Sequence, residues 1–155
     1  MATEIERKFL VKGNEWRSLA TGTGYRQGYI STKETGTTVR VRVVGDRGYL
    51  TIKGTTVGTS RAEFEYPIPV EDAREMLDTL CDRPLIEKTR YRIQQGELTW
   101  EVDEFAGENQ GLILAEVELD DENQTVELPE WIDREVSDPK YFNVNLAKHP
   151  YSHWK

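Results

Sequence analysis

Cysteine is almost missing from this 155-residue chain, where Cys81 stands alone. An intramolecular disulfide and a cysteine-based metal site are thereby excluded, and a reducing cytosol is the expected setting. Cys81 itself reads as a small buried hydrophobe on a helix. Histidine is equally scarce. His149 and His153 lie near the C-terminus without partners at metal spacing and are expected on the surface. No apolar run follows Met1, and none is long enough to span a bilayer. Neither a signal peptide nor a membrane partner is therefore expected, and the chain reads as cytoplasmic. Excess positive charge is lacking too. A net charge of −8 argues against a general nucleic-acid surface, though not against a local cationic pocket. No Pro/Gly/Ser-rich linker and no repeat interrupt the chain, so residues 1–155 read as one domain with room for a core.

What is present is polar but not disordered. Mean hydropathy is −0.67, yet four Trp, seven Tyr and four Phe supply the material of a core. Strand-like runs dominate. Glu4–Val11, Tyr25–Ser31, Thr37–Val44, Tyr49–Lys53, Arg61–Ile68, Leu85–Gln94, Glu97–Phe105 and Gly111–Asp120 alternate or are flanked by turn residues. Asn14–Leu19 reads as a helical turn capped by Asn14. Val70–Cys81 carries helical spacing through Ala73, Met76, Leu77 and Leu80, with acids in its first turn. Pro129–Val136 reads as a weak short helix. Asp138–Lys148 reads as a last helix, with Asp138 as its cap and Pro139 at its first position. Short turns between sequential strands favour an antiparallel sheet, closed or nearly so.

Successive side chains on a strand point to opposite faces. Sorting each strand by face separates charge from apolar surface almost everywhere. Glu4, Glu6 and Lys8 share one face of the first strand, Arg40 and Arg42 of the third, and Lys53 with Thr51 of the fourth. Glu63 and Glu65 share one face of the fifth; Lys88, Arg90 and Arg92 of the sixth; Glu101 and Asp103 of the seventh; Glu116 and Glu118 of the eighth. For a single strand, a solvated face is the ordinary explanation. The full set resists it, because the charges are doubled and segregate by sign from strand to strand. The alternative is a barrel with charged faces inward around an aqueous lumen and apolar faces outward under helices, chiefly Val70–Cys81. Such a lumen can take a polyanion on Arg forks and Lys point charges. Its paired acids can hold a hard divalent cation.

These pieces resemble the CYTH superfamily, the triphosphate tunnel metalloenzymes. The resemblance rests on Glu4-x-Glu6-x-Lys8, Gln27-Gly28-Tyr29, Val39-Arg40-Val41-Arg42, Thr51-Ile52-Lys53, Glu63-Phe64-Glu65, Lys88-Thr89-Arg90-Tyr91, Trp100-Glu101-Val102-Asp103 and Ala115-Glu116-Val117-Glu118. Asp138–Phe142 and Asn145-Leu146-Ala147 also look like that family's C-terminal segment. The first motif alone is weak, but the ordered set is specific and spans nearly the whole chain. The resemblance implies an α+β, mainly antiparallel fold: an eight-stranded closed β-barrel with a charged lumen, helices packed outside and a C-terminal helix near one end. It implies Glu4, Glu6, Glu116 and Glu118 as ligands of Mg²⁺ or Mn²⁺. Lys8, Arg40, Arg42, Lys53, Lys88 and Arg90 would hold a triphosphate, with Tyr29 lining the tunnel. Lys88, Glu116 and Glu118 would serve the chemistry. Glu63, Glu65, Glu101 and Asp103 are additional tunnel acids for a second metal or for fixing the basic side chains.

The implied activity is metal-dependent hydrolysis of inorganic triphosphate to diphosphate and phosphate. The wording Glu-Ile-Glu-Arg-Lys-Phe-Leu resembles small bacterial triphosphatases, and few residues remain to read a base or a thiazolium ring. A nucleoside or thiamine triphosphatase, a class IV-type adenylate cyclase and a non-catalytic polyphosphate-binding module are the alternatives. A C2 homodimer is the default form of any self-assembly.

Overall fold

The computed structural model describes residues 2–30, 36–55 and 57–154, with side chains from Ile5 onward. The strands are β1 (Ala2–Val11), β2 (Thr23–Ile30), β3 (Thr38–Val44), β4 (Arg47–Lys53), β5 (Ser60–Ile68), β6 (Ile86–Gln95), β7 (Leu98–Phe105), β8 (Ile113–Glu118) and β9 (Ile132–Val136). Among the described residues two α-helices accompany them, α1 (Val70–Thr79) and α2 (Asn143–Lys148). The strands run β5-β4-β3-β2-β6-β7-β8-β1, and β1 pairs with β5 again. That pairing, Ala2 with Glu63 through Ile5 with Ser60, closes an antiparallel barrel of eight strands. β9 lies outside this ring and, among the described strands, pairs with β1.

Closure decides which face is the lumen. Val41 and Val43 of β3 point outward and pack with Ala73 and Leu77 of α1. Phe9, Ile93, Trp100, Val102, Ala115 and Val117 point outward from β1, β6, β7 and β8. Trp16, Trp131 and Ile132 cover them, with Trp131 edge-on to Trp100 at 5.8 Å between ring centres. The charged faces are left inside, as the alternation predicts. α1 approaches β4 so closely that a Cβ at Gly48 would stand 2.7 Å from that of Ala73.

At one end the inward faces change character. Ile86, Phe105 and Leu114 share the faces of Lys88, Asp103 and Glu116 but lie beyond the charges and are buried, with Leu10 of β1 packed against them. Tyr141, Leu146 and Ala147 join the same cluster. The C-terminal segment therefore seals this end of the tunnel with an apolar plug.

Three local expectations are corrected. Residues 132–136 form β9 instead of a helix, registered through Lys8 with Val136 and Val11 with Ile132. β5 reaches only Ala2–Ile5, so the rest of that edge of β1 would carry unpaired backbone groups; β9 satisfies them. The last helix is divided: Pro139–Tyr141 is a 3-10 turn, Phe142 is extended, and α2 begins at Asn143. Asp138 does cap, accepting from the Lys140 amide at 3.0 Å. Asn14 precedes the 3-10 turn Glu15–Ser18 but does not cap it; its side chain accepts from Arg17 Nε at 3.1 Å.

Candidate active site

The barrel order places the charges in two blocks. β4, β3, β2 and β6 are consecutive and carry Lys53, Arg40, Arg42, Lys88 and Arg90. β7, β8, β1 and β5 are also consecutive and carry the inward acids of the described residues, Glu101, Asp103, Glu116, Glu118, Glu6, Glu63 and Glu65. The lumen is thus half basic and half acidic, wall against wall. Its cavity of about 310 Å³ sits at the low end of the range of about 300–1,000 Å³ typical of ligand pockets. Phe142, Asn143 and Val144 line it from the sealed end.

Lys8 is a basic residue set within the acidic wall, on β1. Its Nζ lies 2.5 Å from Glu116 Oε1 and 3.5 Å from Glu6 Oε1. Burial opposes the charge on Lys8, but Glu116 and Glu6 outweigh it and hold the ammonium above its ordinary value. Burial likewise opposes the Glu116 charge; Lys8 and Arg90 outweigh it, and the carboxyl stays well below the usual range. Both groups are therefore ionised at neutral pH. Among the described residues no three acids already stand together as a metal cage, and Lys8 occupies the space between Glu6 and Glu116. The donors facing the cavity here, Glu6, Glu116 and Glu118, are all carboxylates. This chemistry fits a hard, oxygen-seeking cation and no softer one. Glu4 pairs with Arg61 through the backbone, but its side chain lies outside the described residues.

On the basic wall, Arg42 Nη2 meets Glu65 Oε1 at 3.0 Å, and Arg40 Nη2 meets the same oxygen at 3.4 Å. Thr51 donates to that oxygen at 2.8 Å. Two guanidinium groups thus share one carboxylate. Burial, together with repulsion from Arg40 and Arg90, lowers Arg42 to about 10. The Nε atoms of Arg40 and Arg42 are buried with no hydrogen-bond partner. Buried donors left in this state cost free energy.

Asp103 is 2 % exposed and holds three bonds. Arg90 donates to it from Nε and Nη2 at 2.7 and 2.8 Å, and Lys88 donates at 2.8 Å. One carboxylate cannot neutralise two cations. Burial lowers Lys88 to about 7, Arg90 repels it further, and Asp103 and Glu116 only partly compensate. Arg90 keeps its charge because Asp103 outweighs its burial.

A model of the CYTH domain family matches residues 2–151. The chain belongs to the CYTH family. A protein of Acetivibrio thermocellus called inorganic triphosphatase is 56% identical over 156 residues, covering 100% of this chain and 99% of its own. A Nitrosomonas europaea protein of the same name is 39% identical over 150 residues, covering 94% and 97%. A crystal structure described as an inorganic triphosphatase superposes with a TM-score of 0.64 at 32% identity, covering 92% of this chain and 96% of that one. The CYTH barrel is thus the architecture found here.

Of the residues the CYTH resemblance points to, Glu6, Lys8, Arg40, Arg42, Lys53, Glu63, Glu65, Arg90, Glu101, Glu116, Glu118 and Tyr29 all line the one cavity. Tyr29 is buried, and its hydroxyl accepts from Gln27 Nε2 at 3.2 Å. Lys88 and Asp103 sit behind the cavity surface, where Lys88 is 3 % exposed. Arg92 shares the face of Arg90 yet reaches the mouth, 65% exposed, against Glu101. Two residues escape the sequence reading. Arg61 lines the cavity from β5; its shared parity with Glu63 and Glu65 was the available signal. Tyr25 shares parity with Tyr29 on β2, and its ring lies against Arg42, Lys88 and Arg90.

Proposed function

We propose that this tunnel hydrolyses inorganic triphosphate to diphosphate and phosphate. The reading is carried by the two-walled lumen: a polyanion needs the basic wall, and the carboxylates opposite would hold a divalent cation. In this reading Arg40, Arg42, Lys53 and Arg90 bind the phosphate oxygens from one side and Lys8 from the other. Glu6, Glu116 and Glu118, with Glu4, hold Mg²⁺ or Mn²⁺. When bound, that ion would neutralise phosphate charge and supply Lewis acidity. Glu116 and Glu118 orient a water for in-line attack on a terminal phosphorus. The arginines stabilise the charge that develops on the transferring group and on the departing diphosphate. Lys88 adds positive charge from behind the same wall and holds a proton near the reacting chain. Tyr29 and the Phe142–Val144 segment bound the cavity and leave it small, which favours an unsubstituted triphosphate over a nucleotide. No described helix is long and apolar enough to cross a membrane, and a cytoplasmic enzyme fits that and the lone cysteine.

Phosphate release from tripolyphosphate, ATP and thiamine triphosphate with Mg²⁺ or Mn²⁺ tests the reading. Tripolyphosphate is expected to be the fastest, and a far higher rate on ATP overturns the choice. Glu116→Gln is expected to lose turnover on the order of a hundredfold or more while keeping most of its triphosphate affinity. A binding module without catalysis would show no metal-dependent turnover to lose.

A further inference from the structure

β2 is the strand of the basic wall with no inward charge: Tyr25, Gln27 and Tyr29 occupy its inner face. It lies between β3 and β6 in the sheet, so it separates Arg40 and Arg42 from Lys88 and Arg90. Three of those cations converge on one ring. Arg90 Cζ stands 4.9 Å from the centre of the Tyr25 ring, Arg42 Cζ 5.1 Å and Lys88 Nζ 5.9 Å. All three fall within the distance at which an aromatic face attracts a cation through its quadrupole. Tyr25 does not line the cavity; Arg42 and Arg90 do.

We infer that Tyr25 is the positioning residue of the basic wall, holding Arg42 and Arg90 together for the triphosphate through its aromatic face. These arginines repel each other, since Arg90 is among the causes that lower Arg42, and both guanidinium groups lie over the Tyr25 ring. An acid at this place would quell the repulsion better, but it would form salt bridges and compete with phosphate for the same donors. A neutral ring attracts both guanidinium groups without taking their N–H bonds. The ring thus stabilises a concentration of positive charge and leaves it available to an anion. Tyr25 acts through Arg42 and Arg90 and never touches substrate.

The inference rests on the triphosphatase reading for its ligand. Its test measures tripolyphosphate binding by calorimetry without metal, and KM and kcat with Mg²⁺. Tyr25→Phe keeps the aromatic face and is expected to bind within about twofold of the native protein. Tyr25→Leu is expected to bind about tenfold more weakly, with the change mainly in KM. Because Leu can disturb packing, a second series keeps the shape: Phe at position 25 with increasing ring fluorination, which drains the quadrupole. Affinity is expected to fall stepwise with fluorine content at an unchanged thermal midpoint. In an Arg42→Gln/Arg90→Gln background the Tyr25→Leu loss is expected to disappear. Equal binding across the fluorinated series overturns the inference, as does an undiminished Tyr25→Leu loss in that background. Failure of the native protein to bind or cleave tripolyphosphate overturns the triphosphatase reading instead.

Discussion

Lys88 is the buried cation whose surroundings balance its charge least. Burial opposes its charge, and Asp103, already held by two bonds from Arg90, compensates only in part, so the ammonium is lowered to about 7 from the ordinary 10.5. The consequence for stability has a definite sign. Below pH 7 both folded and unfolded chains carry this proton, and the full cost of the buried charge is present. Between about 7 and 10.5 the unfolded chain binds the proton and the folded chain does not, so stability rises with pH. Urea unfolding of the native protein across that window is expected to show an increment that Lys88→Met lacks. Turnover responds in the opposite direction if the charged form serves the triphosphate. The value of kcat/KM is expected to fall as pH rises through about 7, whereas kcat holds to higher pH because the bound polyanion retains the proton. Asp103 raises Lys88, so Asp103→Asn is expected to move the fall in kcat/KM to lower pH; a pH–rate profile of both proteins checks it.

Elements whose pattern is local were legible, and elements whose pattern is tertiary were not. α1 forms where spacing and acidic first turn predict it, and Ala73 and Leu77 bury on β3 and β4. Its seat depends on Gly48. Gly48→Ala would bring two Cβ atoms to 2.7 Å, with the Ile68 carbonyl at 3.1 Å, and must push the helix outward. A loss of about 1–3 kcal/mol is expected, measured by urea unfolding, with the barrel retained. β9 shows the converse. Ile132-Asp133-Arg134-Glu135-Val136 has little preference of its own, and the edge of β1 decides its state. Once it is paired, Arg7 binds Glu135 with Nη2 at 2.6 Å and Nε at 2.8 Å, and Trp131 reaches Trp100. The division of the last helix has the same origin, because Tyr141, Leu146 and Ala147 must face the apolar end of the lumen.

The whole molecule keeps like charges together on the side of the tunnel that faces a polyanion. Such a wall is under repulsion until the anion arrives, which makes ligand and stability strongly linked. Tripolyphosphate alone at a hundred times its dissociation constant is expected to raise the thermal midpoint by about 5–10 °C. Added salt should shrink the rise by weakening the binding, and equimolar orthophosphate should produce less; thermal scans at two ionic strengths check both. Much of this was determined by the sequence alone. Period-two alternation sets which side chains share a face, and the doubled charges on those faces demand water or ligand, so an inverted barrel with strands mostly of one sign was readable from residues 4–118. Neighbours joined by long connections were not. The β2–β6 and β5–β1 pairings join strands far apart in the chain, and no local pattern specifies such partners. Only the closed sheet brings the basic strands into one wall and the acidic strands into the other. Only that closure sets Lys8 between Glu6 and Glu116, Lys88 and Arg90 on one Asp103, and three cations around Tyr25. Alternation encodes direction, whereas proximity across the barrel depends on backbone pairing that the whole chain must complete.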